Sequence, residues 1–484
     1  MNEAPFVGRK KELQDLELLF RKKSASLVVV QGRRRIGKSR LMKEFGKKGR
    51  LYCFSGLPPT AETTAQKQRD EFARQMGEMF GWQKIQVEDW ATLFSLLAKQ
   101  ISGLGRVVLL FDEISWMGSK DPDFLGKIKN AWDLQFSKNS KLVFVLCGSI
   151  SSWIEENILS STGFLGRISQ VIYLQELLLQ ESSSFLRLIG GRFSPYDQLK
   201  ILGLTGGVPR YLEEIQPSMT VEENITRLCF RRGGILCREF DDIFSDLFSK
   251  RSATYKEIVQ QLKGGSLEIQ HILQALDLPN SGHMSEYLDH LTQSGFICRD
   301  YTWNIKDGKV SRLSKYRLSD NYVRFYLKYI DPYKEKIIQG SFETKSVDTL
   351  PGWESMMGLQ FENLVLNNRF LIWNKLRLSA DSIVSDNPFF QKKTQKTPGC
   401  QIDYLIQNKF NSLFLCEMKF SKKSLGMEVV QEMKKKMDSL TTPKGFSKFP
   451  VLIHAGTVQD SVIESGFFFE IIDMCEFLES SSLG

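Results

Sequence analysis

Three stretches of the sequence predict an α/β fold built on a parallel sheet. The first is a glycine-rich loop at 32–39, which lies between a buried-strand pattern and apolar residues with helical spacing. The second is an apolar run at 107–111, which is followed by two acids. The third is a buried-strand pattern at 141–147, which is followed by Gly148-Ser149. Buried parallel strands have such continuous apolar runs, and their carboxyl ends carry the polar side chains of a site.

The loop at 32–39 matches the phosphate-binding pattern G-x-x-x-x-G-K-[ST] at every fixed position. In that pattern, backbone N–H groups surround the α- and β-phosphates, Lys38 reaches the β- and γ-phosphates, and the Ser39 hydroxyl ligates Mg²⁺. The sequence therefore predicts ATP and Mg²⁺ as cofactors. The predicted nucleotide-binding residues are Gly32, Arg33, Arg34, Arg35, Ile36, Gly37, Lys38, Ser39 and Arg40.

The acids at the end of the second run predict hydrolysis in addition to binding. Asp112 is expected to hold Mg²⁺, directly or through water, and Glu113 to polarise the water that attacks the γ-phosphate. The alternative is that two acids simply close a strand. Their pairing with the loop at 32–39 favours the catalytic interpretation.

Three further polar residues each allow two interpretations. Ser149 either contacts the γ-phosphate and its attacking water or caps a helix. Arg167 either enters a neighbouring subunit's site as an arginine finger or is a surface residue. Arg210, after the Gly206-Gly207 turn, either senses phosphate or belongs to an ordinary helix boundary, which we favour slightly.

These motifs together resemble the archaeal-type ATPases of the AAA+/STAND group, over residues 5 to about 240. The resemblance implies a P-loop NTPase domain with an AAA+-like parallel sheet at 1–178 and a helical lid at 179–245. It also implies use of ATP with Mg²⁺ and assembly into homo-oligomers. The segments that carry it are 6–9, 32–39, 111–113, 147–149, 166–167 and 206–209.

The middle of the chain predicts a winged-helix domain at 246–330. Three helical patterns, at 255–262, 269–276 and 284–291, precede a strand, and the Asp-Gly turn at 307–308 favours a hairpin. The third helix has no Lys or Arg between 281 and 294, so a packing or protein-contact role is favoured over DNA reading. A linker is expected at 331–352, where Pro and Gly interrupt a polar stretch.

The last segment, 353–484, contains a second set of candidate catalytic residues. Asp403 lies on one strand pattern, and Glu417 and Lys419 lie on the next, where alternation places both on one face. The acids, joined by Glu362 from a preceding helix, are the predicted ligands of Mg²⁺ or Mn²⁺, and Lys419 would orient a water or stabilise a phosphate. The alternative is an ordinary ion pair within a hairpin.

This second set resembles the PD-(D/E)xK nucleases, over about residues 353–460. The resemblance implies an α/β restriction-endonuclease-like domain, although Ile402 stands where the motif's name has Pro. The formal net charge of the chain is +9, and residues 391–450 hold twelve Lys against five Asp and Glu. A local positive field of this kind suits DNA, which is the expected partner.

Composition excludes other classes of protein. No apolar run approaches the roughly 20 residues of a membrane helix, and the first residues show no signal-peptide pattern, so a cytoplasmic protein without a membrane partner is expected. Eight cysteines without a C-x-x-C pair favour reduced thiols over disulfides or zinc. The sequence thus predicts an ATPase whose cycle controls a metal-dependent nuclease; the alternative is a nucleotide-dependent switch or scaffold that does not cleave.

Overall fold

The computed structural model describes residues 5–83, 86–149, 152–248, 251–278, 282–342, 346–395 and 397–479. The chain divides into two compact units. The first contains Phe6–Leu177, and the second contains the chain from Leu178 onward. Among the described helices, none is long and apolar enough to cross a membrane.

The first unit is built around a five-stranded parallel sheet, as the sequence predicts. Its strands are β1 (Ser26–Gly32), β2 (Arg50–Ser55), β3 (Val107–Asp112), β4 (Leu142–Ser149) and β5 (Ile168–Leu174). Their order across the sheet is β2-β3-β4-β1-β5. The polar ends of β1, β3 and β4 therefore meet at one edge, because neighbouring strands run in the same direction.

Helices pack against this sheet. They are α1 (Lys10–Leu19), α2 (Lys38–Gly46), α3 (Ala65–Phe80), α4 (Trp90–Ile101), α5 (Ile114–Met117), α6 (Phe124–Leu134) and α7 (Ser152–Ile154). An aromatic cluster forms much of the core: the Phe72 ring stacks on Phe54 at 4.3 Å and meets Phe111 edge-on at 5.3 Å. Such contacts fix α3 against the strand that carries Asp112.

The second unit begins with the helices of the predicted lid. Its helices are α8 (Leu179–Leu188), α9 (Pro195–Thr205), α10 (Pro209–Glu213), α11 (Val221–Ile225), α12 (Ile235–Phe248), α13 (Ser252–Gln261), α14 (Ile269–Ala275), α15 (Gly282–Gln293), α16 (Asn321–Phe325), α17 (Lys334–Gln339), α18 (Trp353–Asn367), α19 (Arg369–Lys375), α20 (Glu428–Ser439) and α21 (Asp460–Glu464). The three helices expected between 246 and 300 correspond to α13, α14 and α15; residue 281 lies outside the described residues.

Two sheets lie in the second unit. An antiparallel hairpin consists of β6 (Ile297–Trp303) and β7 (Val310–Leu318). A five-stranded mixed sheet has the order β12-β11-β10-β9-β8, from β8 (Ile383–Gln391), β9 (Cys400–Asn408), β10 (Ser412–Phe420), β11 (Ser447–Ala455) and β12 (Glu470–Asp473). The hairpin packs on this sheet, where Trp303 Nε1 donates to Gln407 Oε1 at 2.6 Å.

The expected linker at 331–352 is packed into the second unit instead of spanning a gap. Residues 343–345 lie outside the described residues. On either side of them, Ile337 and Val347 are buried, and Lys200 of α9 is 2.9 Å from the carboxylate of Asp348. The Pro and Gly residues in this stretch mark the ends of short helical segments. Proline and glycine occur both at helix ends and in linkers, so composition does not distinguish the two.

Candidate nucleotide site and candidate nuclease-like site

The phosphate-binding loop joins β1 to α2 with two glycines that the backbone requires. A Cβ at Gly32 would lie 2.5 Å from the carbonyl oxygen of Leu174, so β5 leaves no room for a side chain. Gly37 has φ 93°, in the left-handed region that favours glycine, and directly precedes α2. The fixed glycines of the pattern are thus explained by close packing at one position and by backbone conformation at the other.

Lys38 points its ammonium group into the loop. Its Nζ donates to the carbonyl oxygens of Gly32 at 2.9 Å and Arg33 at 3.1 Å, and the side chain is buried. Phosphate oxygens are stronger acceptors for an ammonium than neutral carbonyls, because they are charged. The position therefore suits the predicted contact of Lys38 with the β- and γ-phosphates.

The structure brings together the two predicted Mg²⁺ ligands. Ser39 Oγ, on α2, donates to Asp112 Oδ2, at the end of β3, at 2.7 Å. A hydroxyl and a carboxylate oxygen are hard donors of the kind that Mg²⁺ prefers, so the residues present fit this ion. Asp112 Oδ1 also accepts from the backbone N–H of Glu113 at 3.1 Å, which fixes the carboxylate.

Glu113 is held in an unusual backbone conformation. Its φ and ψ are both 50°, a left-handed conformation that is uncommon for residues other than glycine. It directly follows β3 and precedes α5. Backbone strain of this type clusters at functional sites, where the surrounding structure holds it in place.

Ser149 lies at the same edge of the sheet. It is the last residue of β4, opposite Gly32 in the register of β1. Its Oγ is buried and has no hydrogen-bond partner within the described residues. This placement suits a contact with bound phosphate, whereas the expected helix-cap role involves residues 150 and 151, which lie outside the described residues.

Contacts that the sequence did not predict hold the loop in place from outside. Arg9 Nη2 donates to the carbonyl oxygens of Ile36 at 3.3 Å and Gln175 at 2.5 Å. Arg33 Nη1 is 3.2 Å from Glu176 Oε1. Arg9 belongs to the 6–9 motif and Arg33 to the predicted loop, whereas Gln175 and Glu176 follow β5 and have no motif of their own.

The two other candidate arginines form ion pairs within their own units. Arg167 donates from Nε and Nη2 to the carboxylate of Asp133 at 2.8 and 2.9 Å. This bidentate contact lowers the pKa of Asp133 to about 2. Arg210 pairs with Glu213 at 3.1 Å and with Glu214 at 2.7 Å, on and beside its own helix. Each arginine would have to leave these partners to contact a phosphate.

The second candidate site is formed where β9 and β10 pair. Asp403 Oδ2 accepts from the backbone N–H of Met418 at 3.0 Å, so the aspartate is directed across to β10. Glu417 is 2% exposed. Lys419 Nζ is 3.0 Å from Glu417 Oε1 and 2.8 Å from Glu432 Oε2 on α20. Strand alternation places Glu417 and Lys419 on one face, and the ion pair between them is also what the hairpin alternative predicts.

Lys436 is the residue of this site that sequence reasoning missed. From α20, its Nζ lies 3.2 Å from Asp403 Oδ1 and 2.5 Å from Glu417 Oε2, so one ammonium bridges both carboxylates. The sequence placed it in a run of three lysines. Its neighbours Lys434 and Lys435 are exposed, and the buried Met433 one turn earlier marks Lys436 as the inward-facing member of the run.

Glu362 approaches the same carboxylates from α18. Burial, together with the negative charge of Asp403, raises the pKa of Glu362 to about 7. Burial and the charge of Asp403 also raise the pKa of Glu417. Three acids in one partly desolvated region disfavour each other's charged forms, which a cation would relieve.

The expected three-carboxylate metal site is not assembled. Among the described residues, no group of three or more His, Cys, Asp or Glu side chains is arranged to hold a metal ion. The physical reason is that the Lys436 ammonium lies between Asp403 and Glu417, where a shared metal ion would have to bind. Those two carboxylates still supply hard oxygen donors, which fit Mg²⁺ or Mn²⁺ if the ammonium withdraws.

Comparison with known proteins identifies the domain that contains the first candidate site. Residues 6–215 match the family described as an ATPase domain predominantly from Archaea. The chain carries an archaeal-type P-loop ATPase domain. The matched residues extend past Leu177 into the first helices of the second unit.

This ATPase-domain chain also resembles individual proteins. An uncharacterised protein of Methanocaldococcus jannaschii is 25% identical over 369 residues, which cover 76% of the chain and 77% of that protein. An uncharacterised ATP-binding protein of the same organism is 48% identical over 40 residues, 8% of the chain and 68% of that protein. The first of these similarities is longer than the span of the family match and so reaches beyond the ATPase domain.

Two solved structures are reported as similar to part of the chain. A Walker-type ATPase of Pyrococcus abyssi covers 66% of the chain and 96% of its own length, with 17% identity and a TM-score of 0.49. The ORC2 protein of Aeropyrum pernix covers 70% of the chain and 96% of its own length, with 13% identity and a TM-score of 0.44.

Proposed function

We propose that the chain hydrolyses ATP at the 32–39 loop and that this cycle controls a metal-dependent, DNA-cleaving C-terminal site. The observation that carries the first half is the 2.7 Å hydrogen bond between Ser39 and Asp112, which unites the loop and β3. Without that convergence, the loop alone would indicate nucleotide binding only.

Each residue of the ATPase site has a separate role in this proposal. Lys38 neutralises charge on the β- and γ-phosphates, and backbone N–H groups of the loop bind the α- and β-phosphates. Ser39 and Asp112 would hold Mg²⁺, which supplies further neutralisation of the phosphate charge when bound. Glu113 accepts a proton from the attacking water or orients that water, and Ser149 Oγ offers a hydrogen bond at the same edge.

The packing of the lid supports control of the C-terminal site. Gln360 Nε2 of α18 donates to the carbonyl oxygen of Gly203 in α9 at 2.8 Å. Ser183 of α8 donates to the carbonyl oxygen of Leu478 at 3.0 Å. Because α18 also carries Glu362, a nucleotide-dependent displacement of the lid helices would be transmitted to the second candidate site.

The nuclease-like half assigns roles to four residues. Asp403 and Glu417 would hold Mg²⁺ or Mn²⁺, which activates water and stabilises phosphoryl charge when bound. Lys419 stabilises the charged phosphate. Glu362 lies close enough to interact electrostatically with Asp403 and completes the acidic region. Withdrawal of Lys436 from the carboxylates is part of this proposal.

Assembly into homo-oligomers belongs to the proposal as well. If Arg167 acts in a neighbouring subunit's ATPase site, its bidentate contact with Asp133 must open on assembly. The pair is partly exposed, so its opening on assembly would cost less than the opening of a fully buried pair.

A second candidate function is a nucleotide-dependent switch or scaffold whose C-terminal site does not cleave. The contacts of Lys436 favour it, because an ammonium that satisfies both Asp403 and Glu417 removes the need for a metal ion. In that case the lysine-rich segment 391–450 would serve binding alone.

Cleavage of plasmid and single-stranded DNA with ATP and either Mg²⁺ or Mn²⁺ decides between the two. We expect cutting by the native chain, its loss in Lys419→Ala and its retention in Lys409→Ala, a control at an exposed lysine just beyond the other end of β9. Undiminished cutting by Lys419→Ala would remove the nuclease assignment. No cutting by a chain that still hydrolyses ATP would establish the switch.

A further inference from the structure

A groove of about 420 Å³ lies beside the second candidate site, between the hairpin strand β7 and the adjoining ends of β8 and β9. Its side chains include two lysines and one glutamate. The residues that the following steps use are Glu268, Lys315, Phe390, Lys392 and Gln401.

Lys315 places a partly desolvated cation in the groove wall. Its Nζ lies 3.2 Å from the amide oxygen of Gln401 and 4.9 Å from the centre of the Phe390 ring. Burial, with the nearby charge of Lys392, lowers the pKa of Lys315. An anionic ligand would relieve both effects, because it supplies the charged acceptor that the amide oxygen does not.

Lys392 supplies a second cation at the mouth of the groove. It is exposed and lies 2.7 Å from the carboxylate of Glu268. An exposed ion pair contributes little to stability, so Lys392 can exchange that carboxylate for a phosphate at small cost. The next residue, Lys393, is also exposed.

The groove lies next to Asp403 along β9. Gln401 and Asp403 are two residues apart on this strand, and at the rise of a β-strand their backbones are roughly 7 Å apart. The pairing of β8 with β9 shifts register between Ile402 and Leu405, which both pack in one core cluster, so simple alternation does not place Gln401 and Asp403 on the same face.

We propose that this groove binds the phosphodiester backbone of a single nucleic-acid strand, with Lys315 and Lys392 on its phosphates. The volume is near the lower end of the range for ligand sites and accommodates about one nucleotide, not a duplex. Because the Phe390 ring is covered by Lys315, the contacts are to phosphate and carry no base preference. The proposal rests on the nucleic-acid partner of the proposed function and not on cleavage.

Binding is measured by fluorescence anisotropy of a labelled oligo-dT in EDTA, so that cleavage cannot occur. We expect Lys315→Met and Lys392→Met each to weaken binding several-fold and to lower the slope of log K against log salt by about 0.7. Glu268→Gln should tighten binding, since it removes a negative charge from the groove. Lys409→Met, an exposed lysine beyond the opposite end of β9, serves as the matched control.

The proposal for the groove is contradicted if Lys315→Met and Lys392→Met bind the oligonucleotide as tightly as Lys409→Met does, or if the native chain does not bind it. It is also contradicted if free thymidine monophosphate at equal phosphate concentration competes as well as the strand, because the site would then be a mononucleotide site. Weaker binding by the lysine variants without any cleavage by the native chain would retain the groove and remove the nuclease. Loss of cleavage in Lys419→Ala, together with unchanged binding in Lys315→Met, would retain the nuclease assignment and remove the groove.

Discussion

At the scale of single residues, the ammonium of Lys436 determines the state of the second candidate site. It bridges Asp403 and Glu417, and Lys419 contacts Glu417 as well. In the proposed function, a divalent ion and the Lys436 ammonium require the same two carboxylates. The proposal therefore couples metal binding to the position of α20.

Replacing Lys436 with methionine tests that competition. We expect Lys436→Met to lower the free energy of unfolding without metal by about 2 kcal/mol, less than the 3–5 kcal/mol for a fully buried pair, because Lys436 is partly exposed. Mn²⁺ should then raise the melting temperature of the variant more than that of the native chain. Lys435→Met, exposed on the same helix, is the control. Equal Mn²⁺ shifts in all three proteins would show that Lys436 does not compete with metal.

Glu362 predicts a pH dependence of stability. Its pKa is raised to about 7 in the folded chain, so the folded state retains a proton that the unfolded chain loses near pH 4.5. Stability associated with this group is fully present below pH 4.5 and is lost as the pH rises through 7. Glu362→Gln avoids the loss, and we expect it to be more stable than the native chain by on the order of 2 kcal/mol at pH 8 and similar to it at pH 4.5.

Thermal unfolding of both proteins at the two pH values measures this effect. Glu354→Gln, an exposed glutamate on the same helix, should follow the native chain at both. A difference between Glu362→Gln and the native chain that is the same at pH 4.5 and pH 8 would contradict the assigned ionisation.

At the scale of elements, the tight junction of β1, the loop and β5 positions the ATPase site. Gly32 is in contact with the backbone of β5, Arg9 holds the loop through Ile36, and Ser39 of α2 reaches Asp112 of β3. A loop that these contacts already hold loses less conformational freedom when phosphate binds. Pre-organisation of this type strengthens binding.

A methyl group at Gly32 should separate these elements. We expect Gly32→Ala to destabilise the first unit by about 1–3 kcal/mol, because the new Cβ would overlap the Leu174 carbonyl, and to weaken ATP binding. Gly126→Ala is the matched control, since open space surrounds that position in α6 and alanine favours helix. Unfolding in urea and ATP titration measure both variants. Unchanged stability of Gly32→Ala would mean that β5 yields to the side chain.

The difference between local and distant signals explains what the sequence could predict. The loop, the Asp112-Glu113 pair and the alternation of Glu417 with Lys419 are local patterns that the sequence shows directly. The contact of Ser39 with Asp112 joins distant parts of the chain, but two recognised motifs each supply one of its residues as an expected Mg²⁺ ligand. Lys436, Arg9 and Glu176 depend on how α20, α1 and the end of β5 dock. Docking is decided by packing over long sequence separations, for which a single sequence carries no spacing rule.

At the scale of the whole molecule, the chain divides at Leu177, next to the predicted end of the first domain at 178, whereas the segments predicted as separate after it lie in one unit. The predicted lid belongs to the second unit, with the hairpin, the expected linker and the C-terminal sheet. Hydrogen bonds from Gln360 and Asn321 to the backbone of α9 unite them. Composition could not predict that these segments pack together, because amide side chains that make long-range hydrogen bonds have no recognisable local sequence pattern.

Hydrogen–deuterium exchange tests transmission through the second unit. When a non-hydrolysable ATP analogue binds, we expect exchange in α9 and α18 to change together, since they share hydrogen bonds. Lys38→Ala, which should not bind the analogue, is the control and should show no change in either helix. A change confined to α9 in the native chain would indicate that the nucleotide state does not reach Glu362.

The most direct measurement of the central claim is phosphate release from ATP by the native chain, Lys38→Ala and Glu113→Gln, together with their ATP affinities. We predict hydrolysis by the native chain with Mg²⁺, loss of binding in Lys38→Ala, and retained binding with hydrolysis slowed about 10²-fold or more in Glu113→Gln. Hydrolysis by Glu113→Gln at the native rate would contradict the role of Glu113. Hydrolysis by Lys38→Ala at the native rate would contradict the assignment of the site itself.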